Sequence, residues 1–259
     1  SLTELMNKAK QEEINFNYKH AVSLYQKALA LKNDDDYYTY LPAIYTKLAF
    51  NYQNLSDWYD AQKYFEMAGE FYSSTGDTEK INETKYNIAN IFYMTFKRDQ
   101  AKALLSEIEK NNISDELRIK VLNALANLSS DSNIIYNYYR KAIEINPVNI
   151  DKTVLSELNY KFATVNEDLG DDKTAVEYYK KCIGLDSNPK KNPQLSNALS
   201  NLALLYDDIG ESSAAVKYYL ESLKIDESTR NLNGIYNSSM KLAEIYSAKS
   251  PEKTVEYYN

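Results

Sequence analysis

One pattern of three residues recurs along the chain at nearly constant intervals. A small residue is followed by an aromatic residue four positions later and by a second small residue seven positions later. The clearest examples are Ala21-Tyr25-Ala28, Ala61-Phe65-Ala68, Ala175-Tyr179-Cys182 and Ala215-Tyr219-Ser222, and weaker ones are Ala101-Leu105-Ile108, Ile135-Tyr139-Ala142 and the cut-off Thr254-Tyr258. Offsets of four and seven place the three side chains on one face of an α-helix. The pattern therefore predicts a series of helices that each bury the same face.

A second helical pattern precedes most of these helices. It reads Tyr45-Leu48-Ala49-Tyr52, Lys85-Ile88-Ala89-Phe92, Leu199-Leu202-Ala203-Tyr206 and Ser239-Leu242-Ala243-Tyr246. Short turns separate the two patterns, and in them Gly170 and Gly210 can take the left-handed conformation that ends a helix. Asp57, Asp171 and Ser212 can cap the helix that follows. Each repeat is therefore predicted to be a helix, a tight turn and a second helix.

This unit resembles the tetratricopeptide repeat. The second repeat matches the family's signature at Tyr45, Leu48, Ala49, Tyr52, Trp58, Ala61, Phe65 and Ala68, and Pro147 stands at the family's closing proline. The resemblance implies an all-α fold, an α-solenoid of stacked antiparallel helix pairs wound into a right-handed superhelix. A single array is expected over residues 1–259, with repeats at 2–35, 42–75, 82–113, 114–147, 156–189, 196–229 and a truncated 236–259.

Most repeats are longer than is common in this family. The first small residue recurs at intervals of 40, 40, 34, 40, 40 and 39 residues, whereas the usual period is about 34. The extra residues predict longer helices or longer linkers, as in kinesin light chains, spindle-orientation adaptors and Rap-type peptide-sensing regulators of bacteria. The fourth repeat is degenerate, and its first helix can be registered with either Leu122 or Leu125 inward.

The last repeat breaks off within its second helix. The stretch KTVEYYN at 253–259 matches KTAVEYY at 173–179 with one residue lost. Solenoids usually end in a polar capping helix, and the sequence shows none here. We therefore expect the natural protein to continue beyond Asn259, or the ordered structure to end early.

Composition and charge argue against several classes of function. The net charge is −7 and the pI is near 5.0, which disfavours a nucleic-acid-binding protein. No apolar run approaches the ~20 residues that span a membrane, and the opening SLTELMNKAK is polar and amphipathic, without the pattern expected of a signal peptide. Cys182 is the single cysteine, so no intrachain disulfide can form. The simplest location is the cytoplasm.

Residues that could perform catalysis are scarce. The single histidine, His20, is expected at the surface, and Cys182 is expected to be a buried small side chain. The six glycines are scattered singly, without a phosphate-binding loop. Acidic pairs such as Asp171-Asp172 and Asp207-Asp208 are expected to be caps and solvated faces, and the acidic run at 34–36 a linker. The sequence predicts no catalytic residue, no cofactor and no metal site.

Adjacent tyrosines recur in the second helices, as Tyr178-Tyr179, Tyr218-Tyr219 and Tyr257-Tyr258. The second tyrosine of each pair lies on the predicted core face. The first is turned by ~100°, so we expect it to pack on the next repeat with its hydroxyl in water.

The remaining candidate site is the concave groove that the family resemblance implies. In the family, first helices line this groove, and their positions outside the core contact a peptide. Transferred position by position, these are Tyr86, Asn87, Asn90 and Tyr93 in repeat three, Tyr160, Lys161, Thr164 and Asp168 in repeat five, Asn197, Asn201 and Asp208 in repeat six, and Asn237, Lys241 and Glu244 in repeat seven. Asparagine amides can bond both N–H and C=O groups of a peptide. The family's clamp for chaperone tails is not matched.

The sequence thus favours a non-enzymatic scaffold that binds a peptide or protein segment and forms part of a larger protein. The alternative is a peptide-responsive sensor domain of a bacterial signalling protein, as the Rap-type resemblance implies. The expected partner is a protein or peptide, with no nucleic acid and no membrane. The oligomeric state is left open.

Overall fold

The structure is a computed structural model that describes residues 1–145, 150–190 and 192–247. These residues form thirteen α-helices and no strand. The helices are α1 Leu2–Ile14, α2 Tyr18–Ala30, α3 Tyr37–Asn54, α4 Trp58–Thr75, α5 Thr78–Met94, α6 Arg98–Glu109, α7 Asp115–Asn127, α8 Ser132–Glu144, α9 Lys152–Asp168, α10 Asp172–Leu185, α11 Leu195–Asp208, α12 Ser212–Thr229 and α13 Leu232–Ser247. Odd-numbered helices are the first helices of the repeats, and even-numbered helices are the second.

The chain divides into two compact units. The first, Ser1–Leu128, contains α1 to α7, and the second, Ser129–Asn259, contains α8 to α13. The boundary falls inside the predicted fourth repeat, so the single array over the whole chain stays a prediction. Within each unit every helix packs mainly against its neighbours in sequence, which is the contact pattern of an all-α helical repeat.

The three-residue pattern forms the core of both units. Ala21, Tyr25 and Ala28 are buried in the first unit, and Ala175, Tyr179 and Cys182 are their counterparts in the second. Each small residue lets a first helix approach closely, and the ring between them fills the remaining space. Burying one such large side chain is worth about 1.5–3 kcal/mol, so the repeated face supplies much of each unit's stability.

The turns within repeats confirm most of the predicted helix ends. Gly170 and Gly210 have φ values of 79° and 80°, and the side chains of Asp57 and Asp171 cap α4 and α10. The prediction for Ser212 is wrong. The N-cap is Glu211, no side-chain cap bond forms there, and Ser212 is already the first residue of α12.

The corresponding turns of the first unit have no glycine. Phe16, Ser56 and Phe96 occupy the left-handed position there, with φ values of 61°, 59° and 62°. A bulky side chain is strained in this conformation. Both phenylalanine rings are also exposed, Phe96 to 90%.

The extra length of the repeats lies partly in helices and partly in a loop. Helices α3 and α4 have 18 residues each, whereas α7 and α8 of the short fourth repeat have 13. In the fifth repeat the extra residues form the segment between Leu185 and Leu195. The sequence left open whether Leu122 or Leu125 faces inward in α7. The structure buries both, at 2% and 1% exposure, because α7 contacts both α6 and α5.

In each described tyrosine pair the second tyrosine is buried in the core and the first lies at its edge, as predicted. Tyr179 and Tyr219 are buried, and Tyr178 and Tyr218 are half-buried. The flank rings were expected on the next repeat, but their ring partners belong to the first helix of their own repeat. The ring of Tyr178 packs edge-on against that of Phe162, with 4.7 Å between the ring centres. The ring of Tyr218 stacks on that of Tyr206, with 5.7 Å between the ring centres. The third pair, the closing Pro147 and the truncated helix at 253–259 lie outside the described residues.

Candidate functional site

A pocket opens between three helices of the first unit, and we call it the α5–α7 pocket. Its cavity volume is about 150 Å³. The lining residues are Tyr86, Ala89, Asn90 and Tyr93 from α5, Leu105 from α6, and Asn123, Ala124, Asn127 and Leu128 from α7 and its end. Its walls are thus built from two consecutive first helices, with a second helix behind them.

Helical spacing explains why these side chains meet. Tyr86, Asn90 and Tyr93 are four and three residues apart on α5, which puts them on one face of that helix. Asn123 and Asn127 are four apart on α7. Between these polar groups Ala89 and Ala124 occupy little volume, so a cavity remains.

The polar groups of the pocket are neutral. Three amides and two phenols line it, and no carboxylate, ammonium or guanidinium group is among the lining residues. Primary amides both donate and accept hydrogen bonds, which suits a peptide backbone. The Arg98 guanidinium lies 5.9 Å from the centre of the Tyr93 ring and donates to the Leu128 carbonyl over 3.3 Å, so a cation stands beside the pocket.

The structure brings together three of the four residues predicted in repeat three. Tyr86, Asn90 and Tyr93 line the pocket, while Asn87 is half-buried on α5 and is not among the lining residues. Sequence reasoning missed Asn123 and Asn127, because they lie in the degenerate repeat whose register was open. Their spacing of four, beside the buried Leu122 and Leu125, is the signal that could have located them.

In the second unit two predicted residues, Tyr160 and Asn201, meet at the buried Tyr179. The Asn201 amide donates to the Tyr179 hydroxyl over 2.9 Å, and that hydroxyl donates to Glu167 over 2.6 Å. The ring of Tyr160 lies 5.9 Å from that of Tyr179. Burial is the main cause that raises the pKa of Tyr179, and the bond to Glu167 adds to it.

The other predicted residues of the second unit make local contacts or are exposed. Lys161 pairs with Glu157 over 2.7 Å, and Thr164 donates to the Lys161 carbonyl over 2.9 Å. Lys241 pairs with Glu244 over 3.0 Å. The exposed residues are Asn197, Asn237, Asp168 and Asp208.

The second unit has a cavity of about 370 Å³ between α10, α11 and α12. None of the predicted residues lines it.

The two side chains most often used in catalysis, Cys182 and His20, lie in surroundings that do not favour a catalytic role. Cys182 is buried beside Ser156 and Asn192, and burial raises the pKa of its thiol, which opposes a nucleophilic role. His20 is exposed, and its Nδ1 lies 3.3 Å from a carboxylate oxygen of Glu12.

Over the described ranges, no group of three His, Cys, Asp or Glu residues could hold a metal ion. Within the same ranges, no helix combines the length and apolar character needed to cross a membrane.

Comparisons with known proteins agree with this architecture. Residues 154–228 match the tetratricopeptide repeat family. Comparison with curated proteins gives no significant match. Among solved structures, the apo form of the quorum sensor NprR from B. thuringiensis is similar over 99% of this chain and 74% of its own, with 19% identity and a TM-score of 0.75.

Two further solved structures have a similar fold. The apo form of RapI is similar over 99% of this chain and 94% of its own, with 13% identity and a TM-score of 0.68. Pseudomonas aeruginosa PilF is similar over 94% of this chain and 97% of its own, with 15% identity and a TM-score of 0.67. At these identities the likeness concerns the fold, and no enzyme family is indicated.

Proposed function

Because the chain is a tetratricopeptide-repeat protein, we propose that it is a non-enzymatic interaction module that binds an extended peptide or protein segment across its first helices. The observation that carries this proposal is the α5–α7 pocket, where Tyr86, Asn90 and Tyr93 face Asn123 and Asn127. We place the module within a larger protein in the cytoplasm, where a buried thiol such as Cys182 stays reduced.

The size of the pocket defines what enters it. A cavity of about 150 Å³ is large enough for one small ring, so it takes one side chain of the ligand rather than a whole ligand. The neighbouring amides then bond the ligand's backbone on either side of that residue. Tyr86 and Tyr93 add contact area on rigid rings, which lose little conformational entropy on binding.

A substitution in the pocket tests this function against a matched control on the same helix. Peptides are selected from a random library on the unchanged chain, and their dissociation constants are then measured by fluorescence anisotropy. Asn90→Ala is expected to weaken binding by about tenfold, the equivalent of one lost bond near 1.4 kcal/mol. Asn87→Ala, three residues away and outside the lining, is expected to leave the affinity unchanged. Equal effects of the two variants would contradict the assignment.

A second candidate function is that of a peptide-responsive sensor. It is supported by the similarity of fold to a quorum sensor over 99% of the chain. A sensor changes conformation when its ligand binds, since the ligand favours one of two states. Small-angle scattering with and without a selected peptide tests this: a change in radius of gyration supports the sensor, and an unchanged radius at saturation supports the scaffold.

A further inference from the structure

A positive charge is held at the edge of the α5–α7 pocket. The Arg98 guanidinium lies 5.9 Å from the centre of the Tyr93 ring, and its Nη2 donates a hydrogen bond of 3.3 Å to the Leu128 carbonyl. Tyr93 and Leu128 both line the pocket. Arg98 itself is the first residue of α6, a second helix, so it lies outside the first-helix positions that the family resemblance predicted. The guanidinium is therefore an additional group beside the predicted site.

This guanidinium keeps donors that a ligand can use. An arginine carries five N–H donors, and the bond to the Leu128 carbonyl occupies one of them. No carboxylate among the described residues forms an ion pair with Arg98, although Asp99 follows it directly in the chain. The side chain is exposed, so an anion can reach it from solvent. Because the ring and the carbonyl already restrict the guanidinium, binding an anion there orders it less than a free side chain.

The cavity beside Arg98 suits an uncharged aromatic side chain. Ala89 and Leu105 form part of its apolar wall and are 0% and 1% exposed. Its volume of about 150 Å³ is that of an engineered protein cavity that binds benzene. No charged group is among the lining residues, so a charged side chain inside would lose its hydration without gaining a counter-charge. A negative charge on the ligand is therefore favoured at Arg98, outside the cavity.

We propose that the α5–α7 pocket recognises an aromatic residue with a carboxylate beside it, and that Arg98 binds the carboxylate. The C-terminus of the ligand or the side chain of an adjacent aspartate can supply this group. In a C-terminal phenylalanine only Cβ and Cα separate the ring from the carboxylate, so the ring can enter the pocket while the carboxylate stays at its edge. A guanidinium bonds both oxygens of such a group. This inference rests on the proposed function, since it takes the ligand to be a peptide, and it adds the chemical class of the recognised residue.

The test measures the dissociation constants of two pairs of fluorescent glycine-rich peptides with the full chain, at low ionic strength. In the first pair a C-terminal phenylalanine carries either a free carboxylate or an amide. In the second pair both C-termini are amides, and an internal phenylalanine is followed by either aspartate or asparagine. The carboxylate member of at least one pair is expected to bind about tenfold more tightly than its neutral counterpart. A preference in the first pair identifies the terminal carboxylate as the recognised group, and a preference in the second identifies the side chain.

Two variants of α6 separate a specific contact from net charge. Arg98→Gln is expected to abolish the preference for the carboxylate, whereas Lys102→Gln, which removes the same charge from an exposed position of the same helix, is expected to retain it. Equal affinities within both pairs, no binding of any of the peptides at millimolar concentration, or equal effects of the two variants would overturn the inference. The proposed function is tested separately on library-selected peptides with Asn90→Ala, so an absent carboxylate preference with an intact Asn90 effect rejects the role of Arg98 alone.

Discussion

The Tyr179 hydroxyl donates a hydrogen bond of 2.6 Å to Glu167, and this bond joins the core of the second unit to its first-helix surface. Asn201, from the following repeat, donates to the same hydroxyl. One repeat later the equivalent Tyr219 is buried in the same way, but its hydroxyl has no partner in the described part of the chain. Two tyrosines at one repeat position therefore contribute differently to stability.

The first prediction compares the two phenylalanine variants. Tyr179→Phe is expected to lower the free energy of unfolding by about 1–2 kcal/mol, because it leaves groups of Glu167 and Asn201 without their partner. Tyr219→Phe is expected to leave stability unchanged or raise it, because its hydroxyl makes no hydrogen bond to the residues that the structure describes. Urea denaturation followed by circular dichroism measures both. Equal losses of unfolding free energy in the two variants would contradict the difference in hydrogen bonding between Tyr179 and Tyr219.

The second prediction concerns the charge of Glu167. Its pKa is raised in the folded protein above the ordinary value of 4.5, chiefly by burial, so the folded state binds this proton more tightly than the unfolded state. The resulting stability is present below pH 4.5 and is lost as the pH rises through the folded pKa. Glu167→Gln keeps an acceptor for Tyr179 and removes the charge. We expect its Tm at pH 7 to equal or exceed that of the unchanged chain.

That advantage should shrink as the pH is lowered, since Glu167 then becomes neutral in the unchanged chain as well. Melting curves at several pH values measure the difference in Tm. An advantage that grew at acidic pH would have the wrong sign for this account.

The third prediction uses two glycines near the ends of neighbouring helices. Gly170 has a φ of 79°, so Gly170→Ala is expected to cost about 1 kcal/mol of stability. Gly184 lies within α10, has no positive φ, and has open space where a Cβ would stand. Gly184→Ala is therefore expected to raise stability by about 0.5–1 kcal/mol. Chemical denaturation should give shifts of opposite sign, and shifts of the same sign would contradict the turn geometry.

The fourth prediction concerns the close packing of α12 against α13. A Cβ at Gly234 would overlap the buried Asp226 carboxylate and the Asn231 amide, which are bonded to each other over 2.9 Å. Asp226 also accepts a bond of 2.6 Å from Ser196. Gly234→Ala is expected to cost about 1–3 kcal/mol, whereas Asn233→Ala, at an exposed neighbouring position of α13, should cost little. Thermal melts give the Tm of the two variants, and an unchanged Tm for Gly234→Ala would contradict this packing.

Much of the fold could be predicted because the repeated positions obey simple physical rules. Ala175, Tyr179 and Cys182 are buried because offsets of four and seven define one helical face. Gly170 and Asp171 end one helix and begin the next because their backbone and side-chain preferences are local. These features depend on residues close in sequence, so the sequence alone specifies them.

The site depended on contacts between residues far apart in sequence. Asn123 and Asn127 were missed because α7 buries more than one face, and periodicity then no longer identifies the exposed side. The lack of a partner for the Tyr219 hydroxyl among the described residues was not foreseen, because it depends on which side chains occupy positions 207 and 241. Ser212 was misassigned as a cap because α12 begins one residue earlier than the spacing suggested, with Glu211 at its N-cap.

The central claim, that the α5–α7 pocket receives a peptide, is tested most directly by hydrogen–deuterium exchange of the full chain with and without a selected peptide. The account predicts slower exchange in α5 and α7 around Asn90 and Asn123 at saturating peptide, and loss of this protection in Asn90→Ala at the same peptide concentration. Unchanged exchange in both helices at saturation, with protection confined to other helices, would contradict it.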